Sequence, residues 1–227
     1  MNIIIVHHHQ RPPSLRPIRG GALRAHHIGV GLQHYGHNIS YLGKDSGSPS
    51  ECWNTPRELR ALCSALDPDI IIATQLEDVD SLSTLPYPII VDLYAQRLME
   101  SSFDGTRDAT VLSTLKALSC GVLFLVSNPR QRWSWLSTLV LAGVSLQHDP
   151  ILVIPLCTED QPAPSPPEEL TLIGGGVWWP WQDPWPSLKR ALEHLSKRQT
   201  GKITWYGGPP NGEANPPFSH PRFRLGG

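Results

Sequence analysis

The chain has 227 residues, 40% of them hydrophobic, with 19 lysines and arginines against 20 aspartates and glutamates. A formal net charge of -1 excludes a general nucleic-acid or polyanion binder, and the hydrophobic fraction is that of a globular protein able to bury a sizeable core. The four cysteines, Cys52, Cys63, Cys120 and Cys157, contain no CxxC pair, which argues against a zinc knuckle or redox motif and for reduced thiols, most of them in the core.

The N-terminus runs directly into Ile3-Ile4-Ile5-Val6, which reads as a buried strand without the charged lead and longer apolar core of a secretory signal. After a Pro- and Arg-rich loop, Gly20-Gly21 opens a helix in which Ala25, Ile28, Leu32 and Tyr35 recur on one face, and Gly36 is placed to end it. A strand is expected at residues 39–42. Thr55-Pro56-Arg57-Glu58 is a capping box with proline at the first helical position, followed by Leu59, Leu62 and Leu66 on one face and stopped by Asp67-Pro68. Strands follow at residues 70–73 and 89–91, then a helix near residues 111–119 and a strand at 122–126. Asn128-Pro129 starts another helix, expected to carry Trp133, Leu136 and Val140 inward, and a strand at residues 151–154 closes this half. Strands alternating with helices favour an α/β fold with a parallel sheet. No apolar stretch approaches the roughly 20 residues that a membrane-spanning helix needs.

Pro162, Pro164, Pro166 and Pro167 cannot continue a helix or a central strand, so residues 157–169 read as a linker between a Rossmann-like domain at 1–156 and a second unit at 170–227. The second unit resumes with a strand at residues 170–173, then Gly174-Gly175-Gly176. Asp183-Pro184 caps a helix with Leu188, Ala191, Leu192 and Leu195 on one face, and a strand follows at 203–206. The Pro- and Gly-rich tail from Gly207 is expected to be mostly without structure. This gives strand-helix-strand only, a partial nucleotide-binding half.

Several segments carry chemistry. Free amides at the helix start of Gly20 and Gly21, with Arg16, Arg19 and Arg24 nearby, suit an anion, although a tight turn with solvated arginines explains the same residues. Gly174, Gly175 and Gly176 follow a strand where missing side chains let a ligand approach, but they lack the GxGxxG spacing. Trp178, Trp179 and Trp181 beyond them form either a sugar platform or a cover for the sheet end. Consecutive His7, His8 and His9 point alternately to opposite sides, and no carboxylate stands at ligand spacing from His27 or His34, so no metal is expected. One histidine of the triplet, with His9 the choice, is the candidate general base at the end of the first strand. Asp92, at the carboxyl end of a strand where open α/β sheets bind ligands, is the second catalytic candidate; the alternative is a turn cap. The absence of a GxSxG elbow disfavours a serine hydrolase.

Taken together these strings resemble bacterial family 4 glycosyltransferases of the GT-B type. The run from Gly20-Gly21-Ala22-Leu23-Arg24 to Gly36-His37 resembles the opening loop and first helix of that family's acceptor domain. Pro88-Ile89-Ile90-Val91-Asp92-Leu93-Tyr94 resembles a "VVDLYDP" strand end, and Asn128-Pro129-Arg130-Gln131-Arg132-Trp133 to Gly143 resembles an "ERQRDFWLG" helix. Gly174-Gly175-Gly176-Val177-Trp178-Trp179-Pro180-Trp181-Gln182-Asp183-Pro184 resembles "GGGIWNWLDP", the start of the donor domain.

The resemblance implies two facing Rossmann-like domains and transfer of a sugar, with retained anomeric configuration, from a nucleotide-diphosphate sugar to a hydroxyl of a glycan or small-molecule acceptor. It implies no metal cofactor, helix ends and basic side chains steadying the leaving diphosphate instead. Gly20 and Gly21 would approach the reacting sugar or phosphate, with Arg24 beside them as a phosphate-binding candidate, Gly174 to Gly176 would line the donor side, and Asp92 and Arg132 occupy matched positions. Ala95-Gln96 stands where the subgroup has Asp-Pro, and the family's EX7E element belongs further along than Gly227. A truncated donor half is therefore expected, completed by a partner chain or a homodimer. The alternative is a non-catalytic binding protein, subunit or inactive fragment derived from such an enzyme. A cytoplasmic location is expected, with the inner face of the membrane as an alternative setting.

Overall fold

The computed structural model describes residues 1–8, 20–44, 51–156, 170–177, 185–198, 201–208 and 223–226. His9, Arg16, Arg19, the proline run, Trp178, Trp179, Trp181 and the Asp183-Pro184 cap lie outside these residues. Contacts divide the chain into two compact units, Met1–Glu159 and Asp160–Gly227.

In the first unit the elements are β1 (Asn2–His8), α1 (Gly20–His34), β2 (Asn38–Lys44), β3 (Cys52–Trp53), α2 (Pro56–Leu66), β4 (Ile70–Ala73), α3 (Leu76–Leu82), β5 (Ile89–Asp92), α4 (Arg97–Asp104), α5 (Arg107–Cys120), β6 (Leu123–Val126), α6 (Pro129–Leu141) and β7 (Ile151–Val153). The seven strands form one sheet in the order β3-β2-β1-β4-β5-β6-β7, with every neighbouring pair parallel. Near-continuous runs such as Ile3-Ile4-Ile5-Val6 and Ile70-Ile71-Ile72 suit this sheet because both faces are covered. Ile4, Val6, Ile71, Val91, Phe124 and Val126 pack with Leu59 and Cys63 of α2, Val79 of α3, Leu118 of α5 and Trp135 and Leu139 of α6. On the other face, Ile3, Ile5, Tyr41, Ile72 and Leu125 pack with Ala25 of α1. Burial pushes the Cys63 thiol up to about 12, as befits a core thiol.

Local signals act where they were expected. Thr55 Oγ1 accepts from the Glu58 amide at 3.2 Å while Glu58 Oε2 accepts from the Thr55 amide at 3.1 Å, closing the capping box. Asp67 caps the end of α2 in the left-handed region at φ 42°, and Gly36 follows α1 at φ 82°. Asn128 Oδ1 accepts from the Gln131 amide at 3.0 Å to start α6.

Other expectations need correction. Tyr35 and Leu66 do not join the core but are exposed. In α6 the buried residues are Trp135 and Leu139, whereas Trp133 and Val140 face solvent. Apolar residues surround most of this helix, so periodicity does not select its inner face; the sheet does. The short elements β3, α3 and α4 lack the long apolar period by which helices and strands are read.

The second unit contains β8 (Thr171–Val177), α7 (Trp185–Lys197), β9 (Lys202–Gly208) and β10 (Phe223–Gly226). Leu192 and Leu195 of α7 are buried with Ile203, and Leu188 and Ala191 pack beside them, as their place on one apolar face predicts. Two features differ from expectation. A third parallel strand, β10, adds to β9 and gives the order β10-β9-β8. The glycine run also belongs to β8 rather than to a loop after it, with Gly174, Gly175 and Gly176 paired to Trp205, Tyr206 and Gly207.

Candidate functional site

In the first unit, β1 is followed by α1 on one face of the sheet, and β4 is followed by α3 on the other. The chain therefore departs in opposite directions from the carboxyl ends of two adjacent strands, which is the topological switch point where open α/β sheets form a crevice. Residues converge there from both faces.

On the α1 face, Arg24 reaches from the second turn of the helix to the end of β5. Its Nε donates to Asp92 Oδ2 at 2.7 Å and its Nη1 to the carbonyl of Ile154 at 2.8 Å. Both side chains are almost wholly removed from solvent, and Arg24 Nη2 and Asp92 Oδ1 have no hydrogen-bond partner among the described residues. Burial raises the proton affinity of the Asp92 carboxyl, and the Arg24 hydrogen bond and charge oppose that rise. Two sequence candidates, one proposed for catalysis and one for phosphate, are thus each other's partner.

Gly20 and Gly21 differ in kind. Among the described residues a Cβ on Gly20 would meet nothing within 4 Å, whereas a Cβ on Gly21 would collide with the Tyr94 hydroxyl. Tyr94 lies on the chain leaving β5, and its hydroxyl accepts from Gln75 Nε2 at 3.4 Å at the end of β4. Gln131 in turn holds this chain: Nε2 donates to the Tyr94 carbonyl at 2.8 Å, and Oε1 accepts from the Ser127 amide at 2.8 Å and from the Ser127 hydroxyl at 2.5 Å. The neighbouring Arg132, a sequence candidate, pairs instead with Asp149 at 2.8 Å. Gln131 carries no signal of its own in the sequence; its position three residues after the Asn128 cap, facing back toward β5, is set by the helix.

Alternation along β1 sends His7 and His8 to opposite faces, as expected. His7 is buried against Tyr41, with ring centroids 6.2 Å apart. His8 faces the first turn of α3, where its Nε2 lies 3.0 Å from Asp78 Oδ2 and 3.2 Å from Oδ1. Asp78 is buried; that burial raises its proton affinity, while His8 and Lys44 lower it. His8 also meets the Trp53 ring edge-on, centroids 5.7 Å apart. Sequence reasoning missed Asp78 because α3 carries no motif. His8 has a carboxylate partner in Asp78, and His9 lies outside the described residues.

A groove of about 240 Å³ opens between α3, α4 and α5. Its cations are already engaged, Arg97 with Glu100 at 3.1 Å and Lys116 with Asp80 at 2.6 Å. Among the described residues, no helix is long and apolar enough to cross a membrane, and no group of three or more His, Cys, Asp or Glu side chains gathers as a metal set. In the second unit, a Cβ on Gly174 would strike the Trp205 ring, so this glycine makes room for an indole of β9.

No family model matches the chain, and no curated protein does. Solved structures match it through the fold. The glycosyltransferase of kitacinnamycin superposes with a TM-score of 0.55 at 12% identity, over 99% of this chain and 70% of its own. A UDP-N-acetylglucosamine 2-epimerase from Listeria monocytogenes gives 0.59 at 10% identity, over 99% and 69%. An alpha-glucosyltransferase in complex with UDP gives 0.51 at 13% identity, over 95% and 59%. The chain thus spans between 59% and 70% of the length of these proteins. The fold is α/β of the GT-B type, shared by the glycosyltransferases and the epimerase among these structures.

Proposed function

We propose that the chain is a GT-B glycosyltransferase that moves a sugar from a nucleotide-diphosphate sugar to a hydroxyl acceptor bound at the first unit. The observation that carries this reading is the His8–Asp78 pair at the switch point of a sheet whose fold is shared with glycosyltransferases. A hydrogen bond from Nε2 to the carboxylate places the proton of the neutral ring on that nitrogen and the lone pair on Nδ1. The acceptor hydroxyl gives its proton to this lone pair as its oxygen bonds to the anomeric carbon, a direct displacement that inverts this carbon and so departs from the retention that the family resemblance implies. The bond from that carbon to the diphosphate breaks, and the nucleoside diphosphate leaves with the electron pair. Asp78 keeps the ring oriented and steadies the imidazolium that forms. His8 takes the role of base that the sequence alone gave to His9.

Asp92 is then a positioning residue, since its carboxylate is buried on Arg24. The pair fixes the start of α1, where the amides of Gly20 and Gly21 would receive the diphosphate without a metal. UDP is the first nucleotide to test, because one similar structure holds it.

The test is ligand-observed NMR of the chain against UDP-, GDP-, ADP- and dTDP-sugars, followed by transfer assays with the nucleotide that binds. The expected result is saturation transfer from one nucleotide and a transfer rate that falls by about 10²- to 10⁴-fold in His8→Gln. No binding to any member of the panel, or an unchanged rate in the variant, would overturn the reading.

A second reading is a binding subunit that works with a partner chain or as a homodimer. It is favoured by β8, which lies at the edge of its sheet and exposes Leu172 and Ile173. Light scattering that finds a folded monomer at all concentrations would remove it.

A further inference from the structure

The last residues of three adjacent strands stand in a row. His8 of β1 is the register partner of Lys44 of β2, and Lys44 is the register partner of Trp53 of β3. Partners in parallel strands project to the same face, and Val6 and Leu42, two residues before His8 and Lys44, share the core on the α2 and α3 side with Trp53. The Lys44 ammonium lies 5.4 Å from the centroid of the Trp53 ring. Its charge also reaches Asp78, where it is among the influences that lower the carboxyl's proton affinity. Among the described residues no carboxylate comes within ion-pair distance of Lys44, and Asp78 is committed to His8.

An ammonium carries three donors, and a ring on one side leaves donors directed elsewhere. Beside a buried indole and a half-buried imidazole the cation has lost part of its water, and no carboxylate among the described residues pairs with it directly. A ligand oxygen bearing charge would restore that interaction with a charge-assisted hydrogen bond, next to the histidine.

We infer that Lys44 anchors an acidic group, a carboxylate or a phosphate ester, on the acceptor whose hydroxyl His8 deprotonates. The inference rests on the transfer reading of this site and narrows its acceptor to anionic saccharides. The alternative anion, the diphosphate of the donor, is assigned to the start of α1. That helix packs on the opposite face of the sheet from the row His8, Lys44 and Trp53.

The experiment follows the His8 imidazole and Trp53 indole NMR signals of the full chain while glucuronate, glucose 6-phosphate, glucose or UDP is added. Both acidic sugars are expected to shift the two signals saturably, and glucose at the same concentrations is not. Lys44→Gln is expected to weaken the acidic sugars by about tenfold or more, with Lys44→Arg restoring them. Glucuronate alone responding would assign a carboxylate acceptor, and glucose 6-phosphate alone a phosphate-bearing one. The inference is overturned if glucose shifts the signals as strongly, if Lys44→Gln binds the acidic sugars as the parent does, or if UDP saturates the same signals with the affinity of the acidic sugars. Because no donor takes part, Lys44-dependent binding of acidic sugars alongside a failed nucleotide-sugar panel would sink the transfer reading but leave the anion site standing. The reverse pattern would sink the anion site alone.

Discussion

Arg24 and Asp92, 68 positions apart in the chain, meet at 2.7 Å as a buried ion pair that fastens the start of α1 to the end of β5. A second donor of the same guanidinium holds the Ile154 carbonyl, so one side chain joins a helix, a strand end and the segment after β7. Taking two charges out of water is expensive, and the pair tolerates loss of both partners better than loss of one. Arg24→Met or Asp92→Leu alone is expected to cost about 3–5 kcal/mol in urea unfolding, and the double variant to recover most of it. An Asp92→Asn protein that keeps its stability yet loses transfer would instead make Asp92 catalytic.

The two glycines at the head of α1 separate packing from ligand approach. Gly21→Ala drives a methyl into the Tyr94 hydroxyl and is expected to cost about 1–3 kcal/mol, as overpacking does. Gly20→Ala meets no atom of the described residues within 4 Å and is expected to stay within about 0.5 kcal/mol of the parent. Thermal unfolding reads both. If Gly20→Ala also lowers nucleotide-sugar affinity, the reason for glycine at that position is the ligand.

Gln131 and Arg132 are adjacent and should behave differently. Gln131→Leu strips partners from the Tyr94 carbonyl and the half-buried Ser127, with an expected cost of about 1–3 kcal/mol. Arg132→Ala loses an ion pair to an exposed Asp149 and is expected to cost less than about 1 kcal/mol. Equal costs would show that the loop held by Gln131 is not tied down by it.

Asp78 gives a pH dependence whose sign follows from burial. Its carboxyl holds a proton more tightly in the folded chain than in the unfolded one, so the folded state binds more protons between those two values. Stability from this group therefore rises as pH falls through that window and is lowest above it. Urea unfolding between about pH 4 and about pH 7 should show the parent gaining on Asp78→Asn as the pH is lowered. A difference that grows in the parent's favour toward neutral pH would contradict the buried carboxylate.

Much of the framework was legible in the sequence because it rests on local rules. The capping box at Thr55 and Glu58, the Asn128 cap, the Asp67 stop and the apolar strands each declare themselves within a few residues. Burial direction in α6 did not, because Trp133, Trp135, Leu136, Leu139 and Val140 offer two overlapping apolar stripes and only contact with the sheet chooses between them. The strand β10 was hidden for a similar reason: four residues gain their pairing from β9 rather than from their own pattern.

The site divides along the same line. The residues of sequence alone named Asp92, Arg24, Gly21 and a histidine at the end of the first strand, since strand ends and helix starts in an α/β chain are where ligands gather. Only the tertiary structure decided who meets whom: Asp92 with Arg24, Gly21 with Tyr94, His8 with Asp78, and Lys44 in register between His8 and Trp53. These partners lie on different elements, up to 73 residues apart for Gly21 and Tyr94, and no period or cap links them. Parallel pairing sets the register that brings them together, and that register is a property of the assembled sheet.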